Sequence, residues 1–160
     1  MMIIRPATPA DAAAISALIL GFAPSLTLRP DGEGAEVFLA TLAPDAITGY
    51  LASPDHASRM ATEDGALAGV VAVRENRHLF HLFVAPSFQG RGLSRRLWEV
   101  AMDAALRAGN PGEFTVNSSL YAVPVYEKFG FRPTGPRVEQ HGVASVPMKL
   151  VLPRAAESMT

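Results

Sequence analysis

The stretch His78-Leu-Phe-His-Leu-Phe-Val-Ala-Pro-Ser-Phe-Gln-Gly-Arg-Gly-Leu-Ser-Arg-Arg-Leu97 limits what this chain can fold into more than any other segment. His78–Val84 reads as a strand closed by Pro86. Arg91–Ala108 reads as a helix with Leu93, Leu97, Ala101, Ala104 and Ala108 on one apolar face and Gly109 as its stop. Between them, Gly90 and Gly92 make a turn whose backbone lets a ligand come close, with no Cβ in the way. The free N–H groups at the helix start carry the positive end of its dipole and can receive a phosphate or pyrophosphate. Arg91, Arg95 and Arg96 add positive charge there. The plain alternative is a strand–helix turn that needed two glycines, with arginines on a solvated face; the strand before and helix after favour the anion cradle. No Gly-Lys-Ser/Thr follows, and the third glycine of a dinucleotide fingerprint is absent.

The remaining segments read as a mixed α/β layer structure. Met2–Arg5 is a short strand stopped by Pro6, and Thr8-Pro9-Ala10-Asp11 opens a helix with Ala14, Ile15, Leu18, Ile19 and Phe22 at helical spacing. Residues 23–57 are broken by Pro24, Pro30, Gly32 and Gly34, and hold two modest helical patterns near Glu36–Leu42 and Asp45–Leu51. Arg59–Glu63 and Ala66–Arg74 are strands on either side of Asp64-Gly65, a dipeptide suited to a tight hairpin. Glu113–Asn117 is a strand and Ala122–Phe129 a short helix. Phe131–Pro133 and Val143–Leu152 are late strands, and the tail from Pro153 to Thr160 is expected to fray. The chain shows no internal repeat and no second-domain linker, so residues 1–152 read as one domain.

Composition narrows the function. The chain has 160 residues, 49% apolar and 18% charged, with a formal net charge of −1. This removes the electrostatic case for nucleic acid or a membrane surface as partner. With no cysteine, disulfides, thiolate metal sites and a cysteine nucleophile are excluded. No histidine–carboxylate spacing suggests a metal. The longest apolar stretch, Ala12 to Ala23, is too short to span a bilayer, and no charged leader precedes it, so a cytoplasmic location is the default.

The turn resembles the acyl-CoA loop of the GNAT superfamily of N-acetyltransferases, [Q/R]-x-x-G-x-[G/A], with Gln89 and Gly92 at its marked places, the small Ser94 where Gly or Ala is usual, and Leu82-Phe-Val-Ala-Pro86 before it. Ile4-Arg5-Pro6-Ala7-Thr8 with Asp11 is similar to the family's first strand and helix. Ala66–Val71 is similar to its hairpin, and Val116–Phe131 to its late strand–helix unit with the Y-x-k-x-G-F ending. The resemblance covers nearly the whole chain apart from residues 23–57. It implies an α+β fold with a mixed, mostly antiparallel sheet of six to seven strands flanked by helices.

It further implies an acetyl-CoA-dependent N-acetyltransferase in which an amine attacks the thioester directly in a ternary complex. The acetyl-CoA cosubstrate would be held by Gln89, Gly90, Arg91, Gly92, Leu93 and Ser94, and main-chain groups of Phe83 and Val84 would pair with the pantetheine arm as an added strand does. Counted from Ala122, the family's CoA-contacting asparagine falls on Ser119, with Asn117 two residues earlier, and both stay candidates. Tyr126 is the candidate acid, since a phenol of pKa about 10 stays protonated at neutral pH and can donate to a developing thiolate. A tyrosine packed by its ring beside Val125 and Phe129 is the structural alternative.

A free alkylamine also needs its proton removed. His78 is the candidate base and His81 the second choice, with a water chain as the alternative; three residues apart in a strand, the two histidines should face opposite sides. His56 and His141 read as loop residues. Residues 23–57 would build the acceptor side. Glu36, Asp45 and Asp55 there could attract a cationic amine, and read equally well as solvated charges. The acceptor would be an amine-bearing small molecule or peptide, and homodimers are frequent among relatives. A GNAT-like domain that holds acyl-CoA as a sensor without turnover is the alternative function; a tyrosine at the family position and a histidine on the cofactor strand favour the enzyme.

Overall fold

The computed structural model describes residues 1–153; of the tail 153–160 expected to fray, all but Pro153 lies outside the described residues. Strand β1 (Met2–Pro6) leads through a 3-10 turn (Pro9–Asp11) into helix α1 (Ala12–Leu20). Three short helices follow: α2 (Ala23–Leu26), α3 (Glu36–Ala40) and α4 (Pro44–Ala52). Then come β2 (His56–Glu63), β3 (Ala66–Arg74), β4 (His78–Val84), the long helix α5 (Leu93–Arg107), β5 (Glu113–Ser119) and α6 (Val123–Phe129). Strands β6 (Arg132–Pro133), β7 (Val138–Gln140) and β8 (Val143–Val151) complete the described chain.

The strands form one sheet in the order β1-β2-β3-β4-β5-β8-β6, with β7 also on β8. Only the β4–β5 pair is parallel. The expected mixed, mostly antiparallel sheet flanked by helices is therefore present. It has eight strands rather than six to seven, because Val138–Gln140 folds back on β8 through a turn at His141-Gly142. Asp64 and Gly65 both take positive φ, as the β2–β3 hairpin requires. His56 is not in a loop: it opens β2, opposite Arg74.

One sheet face packs on α5. Its buried side chains are Leu93, Leu97, Trp98, Ala101 and Ala105. The expected Ala104 is only half-buried and Ala108 is exposed, because the Trp98 indole turns the buried stripe toward itself. Trp98 meets Phe114 edge-on at 5.1 Å and Phe131 at 5.6 Å between ring centroids. Gly69 of β3 is required by this contact, since a Cβ there would lie 2.9 Å from Leu97 Cδ1. The opposite face packs on α1 and α4 through Ile15, Ile19, Ile47 and Val70. Here Ala14 of the expected helical stripe is exposed. The buried Ser16 hydroxyl donates to the Leu42 carbonyl at 2.5 Å and ties α1 to the irregular segment that follows.

The feature that makes room for function is where β4 leaves β5. The two pair only at His78↔Thr115 and Leu79↔Val116. The next residue, Phe80, is an extra one: against β3, Leu79 faces Val73 while His81 already faces Ala72. Such a bulge bends the strand that carries it. Beyond it β4 stays on β3 while β5 stays on β8, so the two diverge and the β5-facing edge of Phe80–Val84 has no strand partner.

The irregular segment is closed over this wedge by the β7–β8 turn. Leu28 N–H donates to the Gly142 carbonyl at 2.8 Å, and Thr27 bridges Val143. Gly142 has φ +75°, and a Cβ there would lie 2.5 Å from the Gly34 carbonyl oxygen. Gly142→Ala should therefore lower stability by about 1–3 kcal/mol, read as a drop in the urea midpoint. A variant as stable as the parent would show that the loop is not seated there.

At the other edge, the Asp11 carboxylate accepts both Arg5 guanidinium nitrogens, at 2.9 and 3.0 Å, and the Thr8 N–H at 2.8 Å. The Arg5 bond is the main cause that lowers its pKa from 3.8 to about 2. This contribution is complete above about pH 4 and lost as the pH falls toward 2. Asp11→Asn should be less stable at neutral pH and lose less stability than the parent between pH 4 and 2. Parallel acid limbs in the two proteins would refute the coupling.

Candidate functional site

Two cavities open in the wedge between β4 and β5. The first, of about 270 Å³, runs from the end of β4 to the start of α5. Phe83 and Val84 form its strand wall, and Gln89, Gly90, Gly92, Leu93 and Ser94 its turn wall. Gly90 and Gly92 have φ +80° and +74°, which favours glycine at both, and a Cβ on either would meet no atom within 4 Å. Backbone conformation, rather than protein crowding, therefore selects glycine, and the space in front of the turn is open. Among the described residues, the N–H groups of Gly90, Arg91, Gly92, Leu93 and Ser94 have no acceptor. Gln89 holds the turn to the strand, its side-chain amide donating to the Val84 carbonyl at 3.0 Å.

Arg91 does not line this cavity. It lies over the Phe88 ring at 5.2 Å and pairs with Glu63 at 3.6 Å, on an exposed flank. Its backbone contributes to the turn, but its charge is spent sideways.

The second cavity, of about 190 Å³, lies on the other side of the wedge. β4, β5, the start of β8, and α2 and α3 of the irregular segment wall it. Asn117 and Ser119, expected on the cofactor side, line this cavity and not the first. β5 follows β8 away from the turn, which carries both side chains to the far side. Glu36, Asp45 and Asp55 line neither cavity.

The cavities share a short wall: Leu82, Phe83, Tyr121, Ala122 and Tyr126. Tyr126 is 8% exposed. Its ring packs edge-on against Phe129 and Phe131, at 6.1 and 5.7 Å, so the packing reading holds for the ring. Burial, with Tyr121 adding to it, pushes its phenol well above the usual range, so it is neutral at any working pH. Sequence reasoning missed Tyr121. It too lines both cavities, and burial pushes its phenol up while the Ser119 hydroxyl offsets part of the effect. Nothing in its spacing distinguishes it from a surface tyrosine at a helix start.

The histidines are arranged differently from the expectation of opposite faces. The bulge at Phe80 shifts the alternation, so His81 falls on the same side as Phe80, against the Tyr50 ring from α4. His78 lines neither cavity: its Nδ1 is bonded to Thr115 Oγ1 at 2.7 Å, inside the paired part of β4 and β5. Burial lowers its pKa, helped by Arg74 and Arg77. His81 does line the second cavity, and burial lowers its pKa to about 3. His56 lies beside Tyr50 and Phe80, at 5.0 and 5.1 Å, with both ring nitrogens buried and unpartnered, and burial lowers its pKa too. Among the described residues no group of three metal-ligating side chains occurs, and no helix is long and apolar enough to cross a membrane.

Comparison with known proteins agrees with this geometry. A family model described as "Acetyltransferase (GNAT) domain" matches residues 27–152. A search of curated protein sequences gave no match. Among solved structures, a GCN5-related N-acetyltransferase from Rhodopseudomonas palustris superposes with a TM-score of 0.73 at 21% identity, covering 94% of this chain and 95% of its own. The paiA N-acetyltransferase from Thermoplasma acidophilum, solved with coenzyme A, has a TM-score of 0.72 at 14% identity, covering 95% and 99%. The yncA protein from Salmonella typhimurium, solved with acetyl-CoA, has a TM-score of 0.67 at 20% identity, covering 96% and 95%.

Proposed function

The chain belongs to the GNAT acetyltransferase family, and from that premise we propose that it moves the acetyl group of acetyl-CoA to an amine, the two substrates meeting at the wall shared by its two cavities. The observation that carries this reading is that Tyr126 and Tyr121 line both cavities, one of which ends on the unpartnered N–H groups of the Gln89–Ser94 turn. An anionic ligand suits that turn, because its backbone donors are free and the space in front of Gly90 and Gly92 is clear. The free edge of β4 at Phe83 and Val84 suits an amide-bearing arm that pairs as a strand would. Acetyl-CoA supplies a diphosphate for the first, a pantetheine arm for the second and a thioester for the junction. The opposite cavity is left for the amine.

In the transfer, the amine nitrogen forms a bond to the acetyl carbon, the carbon–sulfur bond breaks, and the proton shed by nitrogen ends on sulfur. Tyr126 stands where the sulfur departs. Its phenol is a weaker acid than a thiol, so complete proton donation is uphill. Its role is to donate a hydrogen bond to the thiolate in a water-poor pocket, where such a bond is worth more than in solvent. Proton removal from the amine does not run through a histidine reservoir. His78 lines neither cavity, and burial lowers the pKa of His81, which favours its neutral form. The amine reacts as its free base, having released its proton to solvent.

Titration calorimetry with acetyl-CoA should show micromolar binding by the parent and none by Gly92→Trp. Tyr126→Phe should bind acetyl-CoA like the parent while kcat falls about 100-fold. Binding with no turnover of any amine would favour an acyl-CoA sensor instead. No binding by the parent would end the proposal.

The same reading fixes the sign of the pH dependence. A histidine held neutral above about pH 3 gates nothing near neutrality, so kcat/KM should rise with pH along the ionisation of the acceptor amine. Replacing the acceptor by a fluorinated analogue of lower pKa should move that limb down in step. A limb that stays near pH 6–7 for every amine would instead assign the base to an enzyme histidine.

A further inference from the structure

The second cavity carries information about the acceptor that family membership does not. Among the described residues its lining contains no Asp, Glu, Lys or Arg. Its wall is aromatic: Phe38 from α3 and Phe80 and His81 from β4 line this cavity alone, and Phe83 of β4 joins them at the wall shared with the first. These rings are held firmly. Phe80 and His81 lie 4.3 Å apart between centroids, the Tyr50 ring backs Phe80 edge-on at 5.0 Å, and Phe22 backs Phe83 at 5.5 Å. The bulge produces this wall, by putting the consecutive residues Phe80 and His81 on one side of the strand.

Three classes of amine fit such a site badly. A polyamine or aminoglycoside would bury further ammonium groups with no carboxylate to meet them. An α-amino acid would bury a carboxylate with no arginine or lysine. In each case the unpaired charge costs more than the contact gains. A lysine side chain on a protein surface would leave most of the aromatic wall untouched. The volume of about 190 Å³ is that of a single ring with a short tail, by comparison with an apolar cavity of about 150 Å³ that accommodates benzene.

Resting on the proposed acetyl transfer, we infer that the acceptor is a small arylalkylamine without a carboxylate or a second charge, its ring lying among Phe38, Phe80, His81 and Phe83 and its amino group reaching the Tyr121–Tyr126 junction. Ring-to-ring contact supplies the affinity. The low dielectric of the wall disfavours the ammonium form of the bound amine, which assists the free base that the transfer consumes. Thr41, Asn117, Ser119 and Ser145 on the remaining rim offer hydroxyl and amide groups, so a ring bearing a phenol is accommodated as well as a bare one.

The test is CoA release from acetyl-CoA with four acceptors at equal concentration: 2-phenylethylamine, tyramine, spermidine and phenylalanine. The two arylalkylamines should exceed spermidine and phenylalanine by about tenfold or more in kcat/KM. Thr41→Asp places a carboxylate on the exposed rim without touching the core, and should narrow the gap between 2-phenylethylamine and spermidine while leaving acetyl-CoA affinity unchanged. Phe80→Leu should weaken 2-phenylethylamine about tenfold in KM, with little change for spermidine. Turnover of spermidine or phenylalanine equal to or better than that of 2-phenylethylamine overturns the acceptor class and leaves acetyl transfer standing. Absence of acetyl-CoA binding overturns both.

Discussion

One extra residue in β4 organises this molecule. Strands that stayed paired along their whole length would seal the sheet here, as the antiparallel neighbours β2 and β3 do. Phe80 breaks the register just after Leu79, β4 bends with β3, and β5 continues with β8. The cost is a run of main-chain donors and acceptors on β4 without strand partners, which a folded protein tolerates only where water or a ligand satisfies them. From that bend follow the wedge, the two cavities on its two sides, and the placement of two tyrosines where they meet.

The two cavities are built by different physical means. The first is made of backbone: a strand edge, two glycines with positive φ, and the unpaired start of a 15-residue helix. Such a site recognises a ligand by its amides and its charge, and asks little of side-chain identity. The second is made of side chains drawn from α2, α3, β4, β5 and β8, and those side chains decide what enters. This division explains how the turn can be read from a short motif while the lining of the second cavity cannot.

Burial controls the ionisable groups around the two cavities: it pushes Tyr126 up and His81 down, which favours the neutral form of both. Neutral walls suit the proposed transfer, whose nucleophile is a free amine and whose developing charge is on sulfur. They also make His81 ring surface, packed against Phe80 at 4.3 Å and Phe83 at 6.0 Å between centroids.

Much of the scaffold was legible in the sequence because it rests on local rules. Proline and glycine punctuation bounded β4 and α5, and Asp64-Gly65 announced the hairpin of β2 and β3. The motif residues Gln89, Gly90, Gly92, Leu93 and Ser94 line one cavity, as their order along the chain implies. What only the tertiary structure decided are the properties that depend on register and on distant partners. A period-two strand sends His78 and His81 to opposite faces, but the bulge moves them to one side, and pairing with Thr115 keeps His78 out of the cavities. Asn117 and Ser119 lie across the wedge from the turn because β5 follows β8, a strand some thirty residues further along the chain. Tyr121, Phe38 and Phe80 carry no mark in one dimension, since their meeting is created by the parting of two strands and by an irregular segment pinned over the gap at Gly142. Local sequence determines which elements form and where a phosphate turn can sit. Long-range packing determines which side chains share a cavity, because that depends on contacts no neighbouring residue encodes.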